Sequence, residues 1–210
     1  MKISRGMRDQ GVVVGNTCDK YGTRNPVARR LMRGFHEALE GLVQQASPAT
    51  IHEIGCGEGY WVNRWRQAGF QARGSDFSAR VIELARSNAT SLGLSAEHFS
   101  VRSIYDLRAD EDGADLLVCC EVLEHIEDPQ AGLEALRRAA QRHVILSVPR
   151  EPVWRMLNMA RGRYLKDLGN TPGHIQHWSR SDFIRLVERQ FQVVELRAPL
   201  PWTMLLCRVS

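Results

Sequence analysis

No stretch of this sequence approaches the roughly 20 consecutive apolar residues of a membrane-spanning helix, so a bilayer-spanning protein is not expected. Internal repeats and low-complexity tracts are also missing, which excludes solenoids and fibrous arrays. Neither sign of charge dominates. The 28 Lys and Arg against 24 Asp and Glu leave +4, an excess that permits an anionic ligand without demanding one. Cysteine is scarce and unpatterned: Cys18, Cys56, Cys119, Cys120 and Cys207 form an odd set with no zinc spacing, and Cys119-Cys120 sits in an apolar run. Free thiols in a reducing compartment are therefore expected. Met1 to Gln10 carry no apolar core behind their positive charges, so no secretory leader is expected and a cytoplasmic location is. What remains is a chain of 210 residues, 43% apolar and 25% charged. That is one globular domain plus an arm or cap. It is long enough to bury about 70% of its unfolded surface without disulfides or metal.

Residues 1–25 are polar and poorly periodic, and read as an arm that is mobile or ordered by a ligand. Pro26 opens a helix carrying Leu31, Phe35, Ala38, Leu39 and Leu42 to about Gln45. From there strands and helices alternate: strands at 50–54, 70–75, 98–102, 115–120 and 143–148, with helices over 58–68, from 79 to before Gly93, and from Pro129. The run 115–120 is nearly continuous apolar sequence, as expected of a strand covered on both faces. Pro149 is expected to stop the fifth strand. Alternation of this kind calls for an α/β fold, a doubly wound, mostly parallel sheet. After Pro149 the rhythm breaks, and residues 150–178 read as a helical lid with Trp154, Leu157, Met159 and Leu165 inward and arginines outward. A helix at 180–190 and strands at 191–197 and 202–209 close the chain. Pro199-Leu200-Pro201 is too short for a crossover helix, so these strands pair antiparallel, giving seven strands with the last antiparallel. The domain division expected is an arm and helix at 1–47, and a main domain at 48–210 containing the insertion 150–178.

The first motif with chemical content is Glu53-Ile54-Gly55-Cys56-Gly57-Glu58-Gly59, joining the first strand to the next helix. Glycines serve where a backbone turns with positive φ or passes close to a ligand. Asp76 ends the following strand, 21 residues after Gly55, where an acid can take ribose hydroxyls. A dinucleotide turn would have its third glycine at position 60, which is Tyr60; here it comes at Gly59. Glu53 ahead of the turn would repel a pyrophosphate and attract an ammonium or sulfonium.

These residues resemble the first motif of class I S-adenosylmethionine-dependent methyltransferases, acid-x-Gly-x-Gly-x-Gly. The resemblance extends to Asp115–Pro129 and Val144–Pro149, which look like the fourth and fifth strands of the branch containing the ubiquinone and menaquinone methyltransferases. It covers residues 48–148 well and the closing elements loosely. It implies S-adenosylmethionine as cofactor. Gly55 and Gly57 would pass the methionine and ribose part, Glu53 would hold the ammonium end, Asp76 would take the ribose, and Phe77 would flank adenine. Glu121 would lie near the sulfonium, and Tyr21 would close as a lid residue. Phe77 packed on its helix, and Tyr21 in a free tail, are the plain alternatives. The branch usually ends its third strand in an acid that holds the adenine amino group. Ser103 stands there in this chain, so adenine contacts are expected from Ser103 and the Ile104 backbone.

Glu121, Glu124 and His125 are spaced to share a face if the segment is helical, with His174 and His177 downstream. This is similar to the arrangement by which small-RNA 2′-O-methyltransferases, and some quinone-precursor O-methyltransferases, hold Mg²⁺. The same string occurs in relatives without metal. The expectation adopted is that His125 and His174 are catalytic, as general base or orienting group, with no metal ligand. Satisfied pocket-wall histidines are the alternative. The acceptor expected is a small molecule with an apolar or aromatic part, methylated on O or N. An RNA or nucleotide methyltransferase and a non-catalytic binding subunit remain as alternatives.

Overall fold

The computed structural model describes residues 1–9 and 11–209; Gln10 and Ser210 lie outside the described residues. The arm forms a two-stranded hairpin, β1 (Arg8–Asp9) and β2 (Val12–Val13). Helix α1 (Pro26–Ala46) follows, started by Asn25, whose side chain accepts from the Val27 and Ala28 amides, with Pro26 in its first turn. The alternating region comprises β3 (Thr50–Ile54), α2 (Tyr60–Gln67), β4 (Gln71–Asp76), α3 (Ala79–Ser91), β5 (Phe99–Val101), the single-turn α4 (Ala109–Asp112), β6 (Ala114–Cys120), α5 (Pro129–Ala139) and β7 (Ala140–Pro149). The chain ends with α6 (Val153–Ala160), α7 (Arg180–Val187), β8 (Gln192–Arg197) and β9 (Trp202–Arg208).

Seven strands form one sheet in the order β5-β4-β3-β6-β7-β9-β8, and β9 alone runs antiparallel to its neighbours. The doubly wound architecture expected from the alternation is thus present, with its antiparallel last strand. One face of the sheet is covered by α1, α2 and α3 through Leu39, Leu42, Trp61, Trp65 and Ile82. The other is covered by α5 and α7 through Leu133, Leu136, Phe183 and Val187. Leu116, Leu117, Val118 and Cys119 of β6 are fully buried, as the apolar run predicts for a central strand. All five cysteines are unpaired. No helix among the described residues is long and apolar enough to cross a membrane.

The fifth strand ends at Pro149, which is its last residue and pairs with Trp202; it begins at Ala140, three residues ahead of the expected start. Pairing of β7 with β6 ends at Ser147, so one side of Pro149 faces no ladder and its missing N–H costs nothing. In the lid, Met159 and Leu165 are exposed rather than inward. Helical periodicity identifies the apolar positions, but α6 is a short helix that buries only Asn158 and half-buries Trp154, and Leu165 lies beyond its end.

Candidate active site

Parallel strands deliver the loops after β3, β4 and β6 to one end of the sheet, where ligands bind in folds of this type. After β3 the chain turns through Gly55, Gly57 and Gly59, all with positive φ. The three glycines differ in what surrounds them. A Cβ on Gly55 would collide with Val122 Cγ2, and one on Gly59 would meet the Phe99 ring at 2.7 Å. At Gly57 nothing lies within 4 Å of that position, so its backbone faces open space. The Gly57 amide donates to Asp76 Oδ2 at 3.2 Å, and the Ser78 amide to Asp76 Oδ1 at 3.0 Å. Asp76 therefore ties the end of β4 to the turn. Phe77 is exposed beyond it and is not spent on the core.

Glu53 is buried on β3, and its Oε2 has no hydrogen-bond partner. Burial pushes its carboxyl up to about 8. The Lys20 ammonium opposes this rise, and it opposes the rises at Glu121 and Glu124 as well, so the arm brings a cation to an otherwise acidic pocket. Tyr21 stacks on Tyr60, ring centroids 3.6 Å apart and planes 5° apart. Burial, then the nearby Glu53, raise its phenol well above the usual value. A hollow of about 350 Å³ opens beneath the arm beside Asp19, Tyr21, Tyr60, Asn63 and Asn88. After β5, Ser103 caps a short turn by accepting from the Tyr105 amide at 3.3 Å, and Ile104 is buried.

Glu121, Glu124 and His125 do not share one helical face. Glu121 follows β6 with φ of 61°, and only residues 123–125 make a tight turn. The left-handed residue sends the Glu121 carboxylate back over the sheet. There Oε1 accepts from Ser147 Oγ at 3.0 Å and Oε2 from Trp202 Nε1 at 2.7 Å. Burial raises its carboxyl. Glu124 is buried with neither oxygen partnered, and burial together with the Glu121 charge raises it well above the usual range.

The two histidines named from the sequence do meet: the rings of His125 and His174 are 4.8 Å apart, edge to face. His125 Nδ1 lies 2.9 Å from the Gly173 carbonyl. A carbonyl only accepts, so Nδ1 carries the proton and Nε2 is left as the basic atom. Burial lowers both imidazoles, His174 to about 3 with the His125 charge as second cause. Of the pair, His125 is the stronger base. His174 also stacks on Trp154, 5.8 Å away, and Trp154 leans on Trp202 at 5.8 Å. One ligand atom each from Glu124, His125 and His174 lie within 4.8 Å of one another. His177 turns aside to Asn170 Oδ1 at 2.8 Å.

Ser147 and Trp202 are not legible as site residues, whereas Trp154 is read from the sequence as an inward lid residue. Only the order of strands β6, β7 and β9 brings Ser147 and Trp202 to Glu121. Glu58 was also missed. Its buried carboxylate accepts from the Ser4 amide at 2.9 Å, the Asn16 amide at 2.7 Å and the Asn16 side chain, pinning the arm to the start of α2.

The sheet order, with the acid-led glycine turn at its carboxyl end, is the class I methyltransferase fold. A family model described as "Methyltransferase domain" matches residues 24–196, and the chain belongs to that family. Among curated proteins it is similar to a ubiquinone biosynthesis O-methyltransferase of Xanthomonas euvesicatoria pv. vesicatoria (strain 85-10). The two are 27% identical over 144 residues, 67% of this chain and 58% of that protein. The chain thus spans about 58% of the length of that curated relative. Among solved structures it is similar in fold to magnesium protoporphyrin IX methyltransferase from Synechocystis PCC 6803 with bound SAH. The TM-score is 0.67 at 20% identity, over 90% of each chain. It is also similar to the PH0226 protein of Pyrococcus horikoshii OT3, with a TM-score of 0.70 at 14% identity over 89% of this chain and 93% of that one.

Proposed function

We propose that the chain is an S-adenosylmethionine-dependent methyltransferase that methylates an O or N atom of a small molecule with an apolar or aromatic part. The observation that carries this is the pairing of Gly57, whose Cβ position is open, with Glu53, a buried carboxylate lacking a partner on Oε2. A cationic amino-acid tail would satisfy Glu53, and ribose hydroxyls would reach Asp76. Phe77, Ser103 and the Ile104 backbone would hold adenine. When bound, S-adenosylmethionine supplies a methyl group activated by its sulfonium.

The rest of the chemistry falls to this chain. Glu121, anchored by Ser147 and Trp202, holds a fixed acidic group where β6 ends. His125 Nε2 takes the acceptor's proton, and His174 orients the acceptor between Trp154 and His125. The arm at 1–47 and the insertion at 150–178 close over the two halves of the site and exclude water. Positioning carries most of the rate, and base assistance adds roughly 10²–10⁴-fold. Unpaired thiols suit a reducing cytoplasm, the location we assign.

A second reading has a divalent cation at Glu124, His125 and His174. It is favoured by one observation, the two unpartnered oxygens of buried Glu124. Two measurements test both readings. Titration calorimetry should show binding of S-adenosylhomocysteine and none of a nicotinamide dinucleotide; the reverse sinks the first reading. His125→Ala should lower turnover while leaving S-adenosylhomocysteine affinity within a few fold. Activity that survives chelator excludes the cation, and activity lost to chelator and restored by Mg²⁺ establishes it.

A further inference from the structure

Three carboxyl groups, those of Glu53, Glu121 and Glu124, border the site, and the chain satisfies them unequally. The arm cation Lys20 acts on all three. Among the described residues no Lys or Arg nitrogen lies within 4.0 Å of any of them. Glu121 accepts from Ser147 and Trp202, one on each oxygen. Glu53 leaves one oxygen, Oε2, for the cofactor's ammonium. Glu124 leaves two. It is 1% exposed, and neither of its oxygens has a hydrogen-bond partner.

The atom facing Glu124 is an acceptor as well. His125 Nδ1 donates to the Gly173 carbonyl at 2.9 Å, so Nε2 carries a lone pair. That nitrogen lies 4.0 Å from Glu124 Oε1, beyond hydrogen-bond reach. Three acceptors therefore converge with no donor among them. A hydroxyl would bring one donor, and a carboxylate or phosphate none. A primary ammonium brings three N–H donors and the opposite charge. Aromatic walls suit the rest of such a molecule, because a cation is drawn to aromatic faces. Trp154 stacks on His174 at 5.8 Å and leans on Trp202 at 5.8 Å. The lid seats directly on Glu124, with the Ile175 and Gln176 amides donating to its backbone carbonyl at 2.9 and 3.1 Å. An acceptor held by Glu124 is therefore enclosed as the lid docks.

We propose that the methyl acceptor is a primary amine with an aromatic or apolar body, bound as its ammonium by both oxygens of Glu124 and by His125 Nε2. Resting on the methyltransferase reading above, this assignment narrows the acceptor atom to nitrogen. The ammonium passes one proton to His125 Nε2. Its freed lone pair forms the N–C bond, and the S–C bond breaks with its electron pair left on sulfur. The two remaining N–H donors stay on Glu124 and hold the nitrogen in line. A divalent cation would draw on the same atoms, but Glu121 is already engaged by Ser147 and Trp202. Glu124, His125 and His174 alone leave a hard cation short of the roughly six ligands it prefers.

The test is titration calorimetry on the full chain loaded with S-adenosylhomocysteine, whose own binding is measured first. Four probes of similar shape are compared: phenethylamine, its N-trimethyl form, phenethyl alcohol and phenylacetate. The primary amine should bind about tenfold or more tightly than the alcohol, as hydrogen bonds to a charged group predict. The trimethyl form, a cation without N–H, should fall to the alcohol's level, and phenylacetate should give no heat. Glu124→Gln should remove the amine's advantage while S-adenosylhomocysteine affinity stays within a few fold; the comparison of probes in the unaltered chain stands without that variant. Catechol with and without Mg²⁺ is run beside them. Alcohol or trimethyl probe binding as tightly as the amine overturns the proposal, as does an amine advantage that survives Glu124→Gln. Catechol binding that requires Mg²⁺ overturns it too and gives the three residues to a metal. A chain that loads S-adenosylhomocysteine but takes no amine loses the acceptor assignment alone, whereas one that fails to load loses the cofactor reading with it.

Discussion

The Trp202 indole donates to Glu121 Oε2 at 2.7 Å, joining two residues 81 positions apart in sequence. With Ser147 on the other oxygen, the carboxylate has both acceptors engaged by neutral donors. These bonds favour the ionised form and so oppose the rise that burial imposes. Trp202→Phe removes one of them. The Glu121 carboxyl should then titrate at higher pH, and the acid limb of the kcat/KM profile should move upward. Loss of a hydrogen bond to a charged group costs about 1.5–3 kcal/mol, which a denaturant melt would register. An unmoved acid limb would show that Glu121 plays no charged part in turnover.

The glycines of the turn should separate by substitution. Gly57→Ala has room for its Cβ, so the fold should bear only the backbone cost of a positive φ, about 1–2 kcal/mol. The new methyl would stand where a ligand passes, and S-adenosylhomocysteine affinity should drop at least tenfold. Gly55→Ala collides with Val122, and Gly59→Ala with Phe99, so both should fail first in thermal stability. Equal melting losses across all three would refute the distinction.

Affinity for a cationic ligand should depend on pH through Glu53. In the free chain its carboxyl titrates at about 8, and a bound ammonium favours the ionised form. Binding therefore releases a proton below pH 8. Affinity for S-adenosylhomocysteine should rise between pH 6 and 8, by at most about tenfold per unit, and level off above. Calorimetry in buffers of different ionisation enthalpy measures the proton directly. Glu53→Gln should bind more weakly and lose the dependence.

Acid stability should depend on His52, a buried residue of β3 between the Asp112 carbonyl at 2.8 Å and Ser75 Oγ at 2.9 Å. Burial lowers its pKa to about 4, below the unfolded reference of about 6.5. The unfolded chain then holds more protons across that window, so stability is full above it and declines as pH falls toward 4. Between pH 7 and 5 this one group should cost about 2 kcal/mol. His52→Leu should flatten the change while lowering stability at neutral pH, as denaturant midpoints at the two pH values would show.

The sheet and the glycine turn were legible because their signals are local: alternating periodicity, then Glu53 to Gly59 followed by Asp76 within one β-α-β unit. The meeting of His125 with His174 was legible as chemistry, although 49 residues separate them in sequence. Other parts depend on long-range packing that no spacing encodes. Trp202 reads as a strand residue until β9 inserts between β7 and β8. The conformation of Glu121 is a single backbone dihedral. Exposure of Met159 depends on which side of the short α6 meets the body, and that of Leu165 on the separate turn that follows it. His52 carried no pattern, since an isolated histidine in a strand has none.

The three hydrogen bonds from the arm to Glu58 bear on cooperativity. That carboxylate sits beside the turn and takes its hydrogen bonds from Ser4 and Asn16, so peeling the arm away at these residues would strip it of those donors. Opening the arm and loosening the start of α2 are then a single event rather than two. Amide hydrogen exchange at Ser4 and Asn16 should keep pace with exchange at the first α2 amides reached by that opening, and both should slow together when the glycine turn is occupied. Arm amides that exchange freely while α2 stays protected would uncouple them.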